Sequence, residues 1–175
     1  GWIAARLESV PQTIPLEPGA IVPLRDVPHR IVHRPEARLT TIENHDGEYH
    51  LVIGGAASHV SRRATDFLKR EARNDIEAAV TKYAAALSVR PAGITLKDTK
   101  SRWGSCASSR RLAFSWRLIF APAYVLDYLA AHEVTHLREM NHSARFWRLL
   151  NGVCPETDSA EHWLKMNGAK LHRYR

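Results

Sequence analysis

Residues 132 to 136 read His-Glu-Val-Thr-His. In a helix the two imidazoles stand one turn apart on one face, where both can reach a single ion. Zinc takes neutral imidazole nitrogen at about 2.0 to 2.1 Å and tolerates a tetrahedral site with one position left for water, the arrangement hydrolysis needs. Glu133, beside the first imidazole and offset around the helix, is expected to face that water without binding the ion. Zinc lowers the pKa of bound water to about 7 and polarises a carbonyl, so Glu133 is expected to act as general base and to pass the proton to a leaving amine.

A third ligand is needed. His142 lies six residues beyond His136, close enough to return to the ion if the helix ends near Met140 and Asn141 supplies a left-handed turn. The spacing His-x3-His-x5-His matches the metzincin pattern, with Glu139 where that pattern has glycine. Glu156, Glu161 and His162 are the alternatives. Tyr124, Tyr128 and Tyr174 are candidates for a phenol that stabilises an oxyanion, although most tyrosines at helical spacing are core residues. Asp127, about one turn before His132, could accept an imidazole N–H, although a solvated carboxylate is the commoner role. Cys106 and Cys154 have no thiol-ligand spacing and read as small buried apolar residues.

These side chains need a scaffold. Pro122 suits the first turn of a helix that carries Tyr124, Val125, Tyr128, Leu129, His132, His136 and Leu137 on related faces. Ahead of it, Ile94–Asp98, Arg102–Cys106 and Leu112–Phe120 read as short strands. From Ser58, a plausible N-cap, apolar residues at Val60, Ala64, Phe67, Leu68, Ile76, Ala79, Val80, Tyr83 and Leu87 predict a long amphipathic helix. Leu39–Asn44 and Tyr49–Ile53 flank Asp46-Gly47 and predict a β-hairpin. Residues 10 to 28 hold five prolines and predict an irregular, extended surface connection rather than core. Short helices are expected over Ser143–Leu150 and Asp158–Lys170, with Gly152 and Gly168 near their ends. The Arg102–Cys106 strand is expected either to pair along a sheet edge with an extended peptide or to be buried, with Trp103 against the active-site helix. Trp2 to Leu7 look like the tail of an apolar element whose beginning is missing, so the chain is expected to be a fragment.

A chain of 175 residues, 45% apolar, with five tryptophans and five tyrosines, is bounded as one folded globular unit. Two widely separated cysteines exclude a disulfide framework. No signal peptide or spanning helix is legible, so a soluble, cytoplasmic protein is expected. The net charge of +7 allows weak association with polyanions such as nucleic acids, while the scattered arginines read first as a solvated basic surface.

Arg102-Trp103-Gly104-Ser105-Cys106, Phe114–Leu118, His132–His136, Asn141-His142-Ser143 and Phe146-Trp147 together resemble the YgjP-like metallopeptidase domain, a family related to the SprT-like zinc proteases. The likeness is dense from about residue 56 to 172. It implies an α+β, zincin-like fold: a long helix and a small sheet packed on the His-Glu-x-x-His helix. It also implies zinc held by His132, His136 and His142, with Glu133 as catalytic acid and base, acting on peptide or protein substrates. The expected organisation is a Pro-rich segment and hairpin over residues 1–55, then a catalytic domain over 56–175. Two further functions stand beside peptide hydrolysis: zinc-dependent cleavage of phosphate esters or anhydrides, and a nucleic-acid-associated module with a structural metal.

Overall fold

The structure, a computed structural model, describes residues 12–175, so the expectation for Trp2 to Leu7 lies outside the described residues. Strands β1 (Ile21–Leu24), β2 (Val27–His33), β3 (Thr41–His45) and β4 (Glu48–Ile53) form one sheet in the order β1-β2-β4-β3. β1 and β3 run antiparallel to their neighbours, while β2 and β4 are parallel. The expected hairpin is β3–β4. Asp46 and Gly47 at its tip have φ of 54° and 91°, the pair of positive values that a type I′ turn requires.

The proline-rich stretch is not the surface linker expected of it. Leu16, Val22 and Leu24 are all 2% exposed or less and belong to the core. The prolines are tolerated by position. Pro23 lies on the edge strand β1 opposite Pro28, and Pro28 precedes His29, where the ladder to β4 begins. Neither proline therefore removes a donor from the sheet interior.

Helix α1 (Val60–Leu87) buries Val60, Ala64, Phe67, Leu68, Ala72, Ile76, Ala79, Val80, Tyr83 and Leu87 along one face, as the 3.6-residue period predicts. Its start differs: Ala57–His59 form a turn of 3-10 helix, and Ser58 lies inside that turn instead of capping α1. A second sheet, in the order β5-β7-β6, consists of β5 (Gly93–Lys97), β6 (Gly104–Cys106) and β7 (Arg111–Ser115). The strand expected to reach Phe120 stops at Ser115, whose Oγ accepts from the Arg117 N–H, and Trp116–Phe120 coil into a fully buried 3-10 helix. A short, mostly apolar run, broken here only by Ser115 and Arg117, carries no period that separates strand from buried helix.

Pro122 then caps α2 (Ala123–Thr135), which packs on α1. Helices α3 (Ala144–Val153) and α4 (Thr157–Asn167) follow, and Gly168–Arg173 wind on as 3-10 helix. Gly152 lies within α3, and Gly168 continues the winding with φ −56°. Backbone bonds from Ile14 and Leu16 to Arg173 and Arg175 tie the start of the described chain to its end. One contiguous core runs through residues of both sheets and all four helices. No helix among the described residues is long and apolar enough to cross a membrane.

Candidate metal centre and active-site cleft

His132 is on the last turns of α2, and His136 is the residue that ends that helix. Beyond it the chain tightens. The N–H groups of Leu137, Arg138 and Glu139 bond to the carbonyls of Val134 and Thr135, which turns the chain back without a left-handed residue. Asn141 therefore does not make the turn expected of it, since no residue from 137 to 142 has positive φ. Ser143 caps α3 by accepting from the Phe146 N–H, and this fixes His142 one residue before the new helix.

The result is convergence. The Nε2 atom of His142 lies 3.2 Å from that of His132 and 3.1 Å from that of His136. All three residues offer nitrogens within 4.8 Å of one another. The ring partners decide which nitrogen is free. His136 Nδ1 is 3.1 Å from the Glu139 carbonyl, which can only accept, so the proton is on Nδ1 and the lone pair on Nε2. Tyr128 Oη donates to Glu161 Oε1 at 2.6 Å, and the same oxygen lies 3.1 Å from His132 Nδ1. His132 must then donate from Nδ1, and its Nε2 is also a lone pair.

Two imidazole lone pairs aimed into one small space repel unless a cation or proton lies between them. A tetrahedral ion with nitrogen ligands at 2.0 to 2.1 Å sets them about 3.3 Å apart, close to the spacings found. The residues present fit a metal ion. Burial holds His132 down to about 4, with His136 and His142 adding to the effect, and it also lowers His136. Both rings therefore stay neutral, as ligands must be. Phe146, fully buried, stacks on His136 at 4.5 Å, and Trp147 stacks on His142 at 5.8 Å.

Glu133 is 5% exposed and lines a cleft of about 280 Å³ with the three histidines, Arg102, Gly104, Ser105, Cys106 and Met140. Its carboxylate makes no hydrogen bond among the described residues. Burial pushes its pKa up to about 7, with Arg102 acting in the opposite direction; a cation on the histidines would draw it down again. Strand β6 forms the facing wall. One edge of β6 pairs with β7, and the other has no strand partner among the described residues.

Several expected roles fall elsewhere. Glu156, Glu161 and His162 are not part of the histidine group. Asp127 accepts from Lys82 and Tyr83, not from His132. Tyr128 is committed to His132 and Glu161. Tyr124 packs beside the core, and Tyr174 lies against Phe120, so neither lines the cleft. Trp103 packs against Gly168 and stacks on His172 near the C-terminal end. Cys154 is buried, whereas Cys106 is half-buried on the cleft wall. A Cβ at Gly104 would lie 2.9 Å from Glu133 Oε2. The spacing of Gly104 in the sequence carries no sign of that contact. The basic surface is also less scattered than the sequence suggests, because Arg38, Arg62, Arg63 and Arg70 line one groove with Asp66.

Among solved structures, the chain is similar to the metallopeptidase zymogen of Pyrococcus abyssi abylysin, at 19% identity and a TM-score of 0.47, over 57% of this chain and 97% of that one. It is also similar to the metallopeptidase zymogen of Methanocaldococcus jannaschii jannalysin, at 22% identity and a TM-score of 0.44, over 53% and 87% of the two chains. No curated protein matches. The sequence profile of the YgjP-like metallopeptidase domain matches residues 1–167, reaching further toward the N-terminus than the dense likeness from residue 56. With nearly the whole chain matched, the protein belongs to the YgjP-like metallopeptidase domain family.

Proposed function

We propose that the metal of this metallopeptidase is zinc, that His132, His136 and His142 hold it, and that Glu133 moves the proton in peptide-bond hydrolysis. The observation that carries this reading is the meeting of three imidazole Nε2 atoms beside one unpaired, buried carboxylate. Imidazole is a ligand zinc favours, and three protein ligands leave a fourth position open. When bound, the ion supplies a Lewis acid that acidifies water and polarises the substrate carbonyl. Glu133 accepts a proton from the attacking water on a carboxylate oxygen and delivers it to the leaving amine nitrogen. The free edge of β6 offers backbone N–H and C=O groups to an extended substrate, which aligns a peptide bond with Glu133 across the cleft. Two free thiols, Cys106 and Cys154, fit a reducing cytoplasm.

The test is Glu133→Gln. Unstructured protein substrate should be cleaved about 10²- to 10⁴-fold more slowly, while elemental analysis should still find one zinc per chain. Undiminished turnover would exclude the mechanism, and a metal other than zinc in active protein would exclude the ion. The arginine groove supports weak nucleic-acid association besides, because none of its four arginines is ion-paired among the described residues. Binding to duplex DNA should then weaken steeply with salt, by a log–log slope of about −0.9 for each phosphate contacted. Absence of binding at low salt would remove that association and leave the peptidase reading untouched.

A further inference from the structure

We infer that Tyr128 and Glu161 are positioning residues that fix the tautomer and ring orientation of His132. The inference rests on the metal-site reading and extends it to residues outside the ligand set. The direction of the relay follows from what each group can do. A carboxylate only accepts, so the short contact from Tyr128 Oη to Glu161 Oε1 spends the phenol proton. The phenol oxygen is left as an acceptor 3.1 Å from His132 Nδ1, and the ring proton must sit there.

The placement is built, not incidental. Tyr128 stands one helical turn before His132 on α2 and is 4% exposed. Its ring meets the imidazole edge-on at 5.7 Å, so the ring has little freedom to turn. Glu161 comes from α4, which packs on α2. The pairing of these two helices therefore sets the chemistry of a ligand on one of them. His136 reaches the same end through the Glu139 carbonyl, a partner that no side-chain substitution removes. Of these two, His132 is the one whose Nδ1 partner a side-chain substitution can remove. Groups that hold a metal-ligating histidine by its second nitrogen typically affect metal affinity 10- to 100-fold.

The experiment uses the full chain and compares wild type, Tyr128→Phe, Glu161→Ala and Glu161→Gln. Tyr128→Phe keeps the buried ring and removes only the oxygen. Long-range ¹H–¹⁵N spectra of the metal-free proteins report the His132 tautomer. The wild type should show the proton on Nδ1, Tyr128→Phe should show a mixture, and Glu161→Gln should stay near wild type because an amide oxygen still accepts. Competitive zinc titration should give an affinity about 10- to 100-fold weaker for Tyr128→Phe, weaker by a smaller factor for Glu161→Ala, and least changed for Glu161→Gln. An unchanged His132 tautomer in Tyr128→Phe, or equal zinc affinity in all four proteins, would overturn the inference. Failure of the wild type to bind zinc would sink the metal reading instead, and the tautomer measurement would still decide the relay.

Discussion

Gly104 shows how one missing side chain shapes the cleft around Glu133. Its position on β6 would put a Cβ 2.9 Å from Glu133 Oε2 and 3.0 Å from Glu133 Cγ, closer than such contacts come without movement. The carboxylate keeps its place because nothing fills that space. Gly104→Ala should therefore push Glu133 out of line with the histidines. A displacement of about 1 Å at a reacting group can cost on the order of 10²-fold in rate. The expected outcome is a fall in kcat of at least 10-fold by that reasoning, with zinc content unchanged because the histidines are untouched. Full activity in Gly104→Ala would show that Glu133 does not need its present position.

Helix ends matter more than helix interiors for bringing the third histidine home. α2 stops at Thr135, the chain turns back through residues 137 to 142, and α3 starts under the Ser143 cap. Ser143→Ala removes the acceptor for the Phe146 N–H and should cost about 1 kcal/mol, the usual worth of such a cap. The same change loosens His142, which precedes the cap and is the exposed member of the trio. Chemical denaturation should show the stability loss, and zinc titration should show weaker binding from that one substitution. Intact affinity alongside reduced stability would mean that Phe146 and Trp147, stacked on the rings, hold the site without help from the cap.

Arg117 ties the molecule together at its largest scale. It is 3% exposed, bonds to the Asp98 carboxylate after β5, and donates to the carbonyls of Leu171 and Tyr174 near the C-terminus. Tyr174 bridges in turn to Ile14, and its neighbours Arg173 and Arg175 bond to Ile14 and Leu16. The hydrogen bonds from Arg117 hold the Asp98 carboxyl below its ordinary value, against the opposing effect of burial. Because the folded pKa lies below the unfolded one, the stabilisation is complete above the ordinary aspartate range near 4 and is lost as pH falls through the depressed value. Asp98 is half-exposed, so the amount is modest, about 1 kcal/mol or less. Between pH 5 and 3, wild type should lose more stability than Asp98→Asn in urea unfolding. Parallel loss in both proteins would contradict this assignment.

Local pattern carried much of this protein in its sequence. The α1 stripe from Val60 to Leu87, the Asp46-Gly47 turn and the proline that opens α2 are readable because period and turn chemistry act over a few residues. The three histidines and Glu133 stood out for the same reason, since four positions on or just beyond one helix have few ways to be arranged. Contacts between distant segments were not readable. That Leu16, Val22 and Leu24 enter the core, that Trp116–Phe120 coil instead of extending, and that Gly104 makes room for Glu133 all depend on which elements pack together. So does the bond from Tyr128, a neighbour of His132 on α2, to Glu161 on α4. A side chain's role is set by the atoms within about 3 Å of it, and for each of these residues some of those atoms lie far away along the chain.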